Sequence, residues 1–253
     1  ATEKEKGVVT ASTGNHGAAC SLAMSLLGID GKIVVPTIVH KNKVNNILNF
    51  GGKVEYHGDD CLIAEERAQE ISKTTGATYI SPYNDPAIIC GQGTMGYEID
   101  QDLKNIDSVF VSVGGGGLIS GVGGYLKSVQ KNVKMVAVSP KNSCVMYESI
   151  KAGKQLDLPS DPTLSDGTAG GVEMGSITFE LCQRIVDEFI LVTEDEIADG
   201  IRIGVEKHHQ LIEGAAGAAI AGFMKQKDKL NGQTVVIVMC GGNISSEVLK
   251  SIL

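Results

Sequence analysis

The 253-residue chain is acidic, with 22 Lys and Arg against 30 Asp and Glu. That length can bury a sizeable core, in one large domain or two small ones, and the absence of any Lys/Arg run argues against broad nucleic-acid binding by counterion release. No apolar stretch reaches the ~18 residues of a membrane span, and the start, Ala1-Thr2-Glu3-Lys4-Glu5-Lys6, is too charged for a signal peptide.

Taken in chain order, short β-branched runs alternate with longer segments of helical period. Strands are predicted at Val8 to Ala11, Lys32 to Pro36, Lys53 to His57, Thr78 to Ile80, Ser108 to Val113, Lys134 to Val138, Glu188 to Val192 and Thr234 to Met239. Helices are predicted at His16 to Leu27, Asn42 to Asn49, Leu62 to Thr74, Ile88 to Leu103, Leu118 to Val129, Val145 to Lys151, Ile177 to Ile185, Ile197 to His208 and Ala215 to Lys225. This is the pattern of an α/β protein with largely parallel sheets. Prolines in Ser81-Pro82-Tyr83-Asn84-Asp85-Pro86 mark a seam between two lobes, and Gly153 to Gly171 reads as a long ordered loop near function.

Six dispersed cysteines with no C-x-x-C pair point to reduced, cytosolic thiols used mainly as small core residues. Five histidines without H-E-x-x-H or finger spacing make a zinc site improbable.

Three polar or glycine-rich clusters follow predicted strands. In Ser112-Val113-Gly114-Gly115-Gly116-Gly117-Leu118, four glycines lie between a buried strand and a helix. Several N–H groups can then converge on an anion at the helix N-terminus, although a flexible linker would have the same composition. The loop lacks the Lys-Ser/Thr of a P-loop, since Leu118-Ile119-Ser120 follow Gly117. The next strand ends in Ser139-Pro140 rather than in the acidic residue of a dinucleotide site, which points to the phosphate of another cofactor or of a sugar. Ser12-Thr13-Gly14-Asn15-His16-Gly17 can hold a carboxylate or can serve only as a helix N-cap. In Met239-Cys240-Gly241-Gly242-Asn243, Cys240 is a ligand contact or a buried thiol. Parallel sheets gather ligands at the carboxyl ends of their strands, where all three clusters fall.

Together, Ser-x-Gly-Asn-His, Gly-Gly-Gly-Gly-Leu and Cys-Gly-Gly-Asn, in this order, resemble the pyridoxal-phosphate enzymes of fold type II. The resemblance is to threonine and serine dehydratases, with serine racemase as a relative, and runs from about Gly7 to the C-terminus. It also takes in Gly91-Gln92-Gly93-Thr94, Leu164-Ser165-Asp166-Gly167 and Leu211-Ile212-Glu213-Gly214-Ala215-Ala216-Gly217. It implies a two-lobed, parallel-sheet fold like that of the tryptophan synthase beta subunit. Residues 7–86 would form a small lobe with the carboxylate loop, and residues 87–253 a large lobe with the phosphate loop. Gly114, Gly115, Gly116, Gly117 and Leu118 would cradle the phosphate of pyridoxal 5'-phosphate. Asn15 would face the phenolic oxygen of the ring, and Cys240 would stand near the pyridine nitrogen, where the family usually has serine. Ser12, Thr13, Asn15 and His16 would hold the substrate carboxylate. The implied reaction removes the α-proton and the β-hydroxyl of threonine or serine, giving a 2-oxo acid and ammonia. A cytoplasmic homodimer acting on a small amino acid, with no membrane or nucleic-acid partner, completes the expectation.

Three departures from the family pattern shape that expectation. The family's Schiff-base lysine lies in a Ser-Phe-Lys-x-Arg-Gly motif a few tens of residues before the Ser-x-Gly-Asn-His loop, whereas here eleven residues precede Ser12. Lys4 and Lys6 stand in a glutamate-flanked, charged setting, so no catalytic residue is assigned. The segment bearing that lysine is expected to be missing, and the chain as written to bind cofactor weakly without turnover. Val138-Ser139-Pro140-Lys141-Asn142-Ser143 lacks the glutamate of metal-dependent relatives, so no metal is assigned. Thr13 stands where racemases have a second serine and dehydratases often have alanine. Racemisation, lysis of another β-hydroxy amino acid and a non-catalytic binding role remain the alternatives.

Overall fold

The computed structural model describes residues 2–12 and 14–253. The described chain divides into two compact units, one extending to Asp85 and the other covering Pro86–Leu253. Each is organised on a four-stranded sheet whose neighbouring strands all run parallel.

The first unit contains α1 (Glu3–Lys6), β1 (Val8–Ala11), α2 (Asn15–Leu27), β2 (Gly31–Val35), α3 (Lys41–Asn49), β3 (Lys53–Tyr56), α4 (Cys61–Thr75) and β4 (Thr78–Tyr79). Its strand order is β3-β2-β1-β4. Val9, Ala11, Ile33, Val34 and Val35 are buried, as expected for interior strands covered on both faces. Asp60 caps α4 by accepting a bond from the Leu62 amide at 2.7 Å.

The second unit comprises α5 (Pro86–Asp102), β5 (Ser108–Ser112), α6 (Gly117–Val129), β6 (Lys134–Pro140), α7 (Val145–Ala152), α8 (Ile177–Ile185), β7 (Glu188–Val192), α9 (Glu194–His208), α10 (Gly214–Gln226), β8 (Val235–Ile237) and α11 (Ser246–Ile252). Single 3-10 turns occur at Asp166–Thr168 and Lys227–Lys229. Pro86 occupies the first position of α5, where its missing N–H costs no intrahelical bond. The strand order is β7-β6-β5-β8, and every residue of central β5 is buried. Helix α10 is buried from Gly214 to Gly222, because its run of Gly and Ala admits close neighbours on several sides. Phe110 of β5 meets Phe223 of α10 edge-on, with centroids 5.8 Å apart, a geometry that adds about 1 kcal/mol to the burial of the two rings. Helices α5 and α6 also cross tightly: a Cβ on Gly121 would fall 2.3 Å from the Ile89 carbonyl oxygen and 2.7 Å from the Gly93 nitrogen. The Gly91-Gln92-Gly93-Thr94 motif thus lies inside α5 and serves this crossing.

Several boundaries differ from the sequence expectation. Strand β6 continues through Ser139 and Pro140, which pair with Leu191 and Val192 of β7. Parallel pairing alternates the direction of successive amides. The Lys141 amide donates toward β7, to the Val192 carbonyl at 2.8 Å, and the Val138 carbonyl accepts from Val113 on the β5 side. Residue 140 would therefore direct its nitrogen to the β5 side, where β5 has already ended, and proline forfeits no ladder bond there. Helices α1 and α11 were not anticipated. The latter is capped by Ser245, whose hydroxyl accepts from the Val248 amide at 3.1 Å. The stretch from Gly153 to Gly171 is pinned at several points: Asp161 N donates to Asn142 O at 2.8 Å, Leu164 N to Glu194 Oε2 at 2.6 Å and Gly170 N to Ser143 Oγ at 3.1 Å. No described helix is long and apolar enough to cross a membrane.

Candidate active site

In each sheet the chain runs from one central strand to two strands on the same side, then returns to place the unit's last strand on the other side. A reversal of strand order of this kind is where parallel α/β sheets generally open a crevice at the carboxyl ends of their strands. In the first unit this switch lies between β1 and β4, and in the second between β5 and β8.

The loop after β1 carries the predicted carboxylate residues. Ser12 donates its amide to Val34 O at 3.0 Å, and its hydroxyl accepts from Gly14 N at 3.0 Å. Gly14 is the N-cap position of α2, and Asn15 opens the helix as an exposed residue. Thr13 lies outside the described residues. His16 turns inward. The Thr10 hydroxyl donates to Ile80 O at 2.5 Å, so it accepts from His16 Nε2 at 2.9 Å, which places the ring proton on Nε2. Burial pushes the His16 pKa down to about 4, against an opposing hydrogen bond to the Ile80 backbone carbonyl. The ring is therefore neutral at pH 7 and links the end of β1 to the end of β4 across the switch point. Cys20 lies 3.5 Å from the same nitrogen, and burial pushes its thiol up to about 11. Two neutral groups make this contact a packing feature, not an activated nucleophile.

The loop after β5 is formed by Val113 to Gly116, with α6 starting at Gly117. A Cβ on Gly114 would fall 2.6 Å from the Thr168 carbonyl oxygen. Gly116 has φ +85°, and a Cβ there would lie 2.8 Å from Cys182 Sγ. Glycine is therefore required at both positions, by space at Gly114 and by space and backbone conformation at Gly116. Gly114, Gly115 and Leu118 are partly exposed, whereas Gly116 and Gly117 are buried. The first intrahelical bond after the loop runs from Ser120 N to Gly116 O at 3.0 Å. Helix geometry leaves the amides before it to be satisfied by another partner, at the positive end of the helix dipole. No charged side chain occurs between Ser108 and Leu126, so backbone amides and the helix dipole are what this loop offers an anion. Cys182 supports the loop from below, its thiol pushed up to about 12 by burial.

Across the switch point, Cys240 Sγ lies 3.4 Å from Ser112 Oγ, at the end of β5. Burial raises the Cys240 pKa; the Ser112 contact opposes the shift, and the nearby Glu213 carboxylate adds to it. The second unit thus brings together the glycine loop and a neutral thiol from two separate strands. It also places there a residue that sequence reasoning had quoted only within a motif. Glu213 is buried, donates its amide to Gly241 O at 3.1 Å and accepts from Asn243 N through Oε2 at 2.9 Å. The available signal was an acidic residue between Leu211-Ile212 and a Gly-Ala-Ala-Gly run, a composition in which a charge must find a built partner.

Residues 1–241 match the family described as pyridoxal-phosphate dependent enzyme. The chain belongs to this family. It is 39% identical over 251 residues to an L-threonine ammonia-lyase of Thermotoga maritima, a match covering 99% of this chain and 62% of that protein. The processed form of threonine deaminase isoform 2 from Solanum lycopersicum superposes with a TM-score of 0.91 at 35% identity, over 99% of this chain and 73% of that one. Maize serine racemase gives a TM-score of 0.88 at 31% identity, over 97% and 76% of the respective chains. The fold is thus the parallel α/β fold of pyridoxal-phosphate dependent deaminases and racemases. The second unit fits the family's cofactor chemically. A phosphate needs backbone amides without side-chain obstruction, which the Gly114–Gly117 loop would offer, and a pyridine nitrogen needs a small polar neighbour, which Cys240 would be.

Proposed function

We propose that the protein is a pyridoxal-phosphate dependent ammonia-lyase that converts threonine or serine to a 2-oxo acid and ammonia. The observation that carries this proposal is the neutral pair Ser112 and Cys240 beside the glycine loop, 3.4 Å apart at the carboxyl ends of adjacent strands. When bound, pyridoxal phosphate supplies an electron sink for the carbanion left by α-proton loss. A neutral thiol at the ring nitrogen does not enforce ring protonation, so electron withdrawal stays moderate and loss of a β-hydroxyl is favoured. Gly114 to Gly117 and Leu118 would hold the phosphate through backbone amides, with Asn15 at the phenolic oxygen. Ser12, Thr13 and Asn15 would bind the substrate carboxylate. His16, neutral and bonded to Thr10, would keep the backbone of that loop in place. No residue of this chain is assigned the role of the cofactor-bound lysine. We take the protein to be a cytoplasmic homodimer, the form usual in its family.

The test is product analysis on the full-length protein supplied with pyridoxal phosphate. Release of 2-oxobutyrate from L-threonine, or of pyruvate from L-serine, is the expected result. A D-amino acid as the main product would overturn the lyase assignment in favour of a racemase, and no turnover of either substrate would overturn both. Borohydride reduction with cofactor, followed by peptide mapping, identifies the attached lysine. Labelling of Lys4 or Lys6 would contradict the assignment made here.

A further inference from the structure

Glu213 stands immediately before α10, yet its carboxylate does not cap that helix. It reaches instead into the turn that follows β8. That turn is bracketed by residue 213 on two levels: the Glu213 amide donates to Gly241 O at 3.1 Å, and Glu213 Oε2 accepts from Asn243 N at 2.9 Å. Gly241 has φ +90°, so the chain bends sharply just after Cys240. A Cβ on Gly242 would lie 2.8 Å from Leu211 O, which shows how closely Leu211 to Glu213 moulds the turn. On the other side, a Cβ on Gly167 would come within 3.5 Å of Glu213 Oε1, in the 3-10 turn whose Thr168 carbonyl abuts Gly114. One buried carboxylate therefore adjoins both the cysteine turn and the segment that supports the glycine loop. A buried carboxylate in this position is sustained by its hydrogen bonds and by the positive end of α10.

From this geometry we propose that Glu213 is a positioning residue that fixes the turn after Cys240, so that the thiol stays against Ser112 and faces the ring-nitrogen position of the site. The proposal rests on the cofactor assignment above for its meaning, but not for its test. Carboxylate and thiol also interact directly, since the negative charge opposes formation of the Cys240 thiolate.

The experiment measures alkylation of Cys240 by iodoacetamide across pH 6 to 10, read by peptide mass spectrometry, in wild type, Glu213→Gln and Glu213→Ala without cofactor. Glu213→Gln keeps an acceptor for the Asn243 amide and removes the charge. Its alkylation profile is expected to move to lower pH, with a rate at fixed pH at least about twofold higher. Glu213→Ala also loses the hydrogen bond and frees the turn, and a further rise of about tenfold is expected. A second measurement titrates pyridoxal phosphate by absorbance, where Glu213→Ala is expected to bind at least about tenfold more weakly than wild type and Glu213→Gln to lie between them. Wild-type alkylation profiles in both variants would overturn the positioning role. So would an accelerated Glu213→Ala beside a Glu213→Gln whose pH profile is unmoved, because a purely structural residue gives that result. Should wild type bind no cofactor, the function proposed above fails, while the alkylation series still decides the role of Glu213.

Discussion

Replacing Gly114 by alanine puts a methyl carbon 2.6 Å from the Thr168 carbonyl oxygen, 2.8 Å from its Cα and 3.0 Å from its carbonyl carbon. All three neighbours are backbone, so no side chain can rotate away. Ordinary contact begins near 3.4 Å, so the glycine loop or the Asp166–Thr168 turn must move by about 0.8 Å. Overpacking of this kind costs about 1–3 kcal/mol. At roughly 2–4 °C per kcal/mol for a unit of this size, the melting temperature should fall by between about 2 and 12 °C. Moving the first amides of α6 by the same distance lengthens the charge-assisted bonds that a phosphate would accept. Affinity for pyridoxal phosphate should then fall at least about tenfold. Gly124→Ala, in the same helix, is the matched control: its nearest neighbour would be Ile185 Cδ1 at 3.8 Å, so it should be neutral or stabilise by up to about 1 kcal/mol. Scanning fluorimetry with and without cofactor, together with an absorbance titration, reads both effects. If Gly114→Ala melts with wild type and binds cofactor within about twofold of it, the idea that the Thr168 carbonyl sets the loop is wrong.

Gly121→Ala drives a methyl to 2.3 Å from Ile89 O and 2.7 Å from Gly93 N, backbone against backbone where α5 and α6 cross. It should cost about 1–3 kcal/mol, visible as a lowered urea midpoint, and a midpoint equal to wild type would refute the close crossing. The His16 pKa falls from 6.5 to about 4 on folding, so the unfolded chain takes up this proton at higher pH. Stability contributed by neutral His16 is thus complete above pH 6.5 and lost as pH falls toward 4, by about 3 kcal/mol across the window. Urea midpoints of wild type and His16→Gln at pH 4, 5.5 and 7 check this: the variant should show a shallower loss on acidification, and parallel curves would contradict it.

Much of the fold was legible because two local rules agreed along most of the chain. Ser108 to Ser112 is apolar and β-branched enough to be a covered strand, and the glycines after it announce both the end of β5 and the start of α6. The three clusters proposed for ligands stood out because each interrupts a strand-to-helix junction with polar or glycine residues. Strand order was not legible: placing β4 beside β1, and β8 beside β5, depends on crossovers that no local composition encodes. Pro140 marked a strand end in sequence and is the last residue of β6, two beyond the predicted Val138; it can still pair because its missing donor faces the side where β5 has stopped. His16 looked like a ligand donor, whereas its Nε2 is engaged by Thr10, a partner six residues earlier that becomes its neighbour only once β1 passes into α2. Glu213 escaped for a related reason. Its partners Gly241 and Asn243 lie about thirty residues downstream and are reached through β8.

Because every strand in a sheet points the same way, each sheet has two unlike rims. The rim opposite the ligand loops carries the tight returns into the strands, including Gly28, Gly51, Gly76, Asn105 and Gly232, all with positive φ. Beside Gly28, Gly76 and Gly232 a Cβ would meet nothing within 4 Å. These returns can be edited without touching the chemistry. An epitope or fluorescent reporter spliced between Asn231 and Gly232 would enter ahead of β8, a full strand away from Cys240, and would report on the second unit while leaving its thiol and glycine loop as they are.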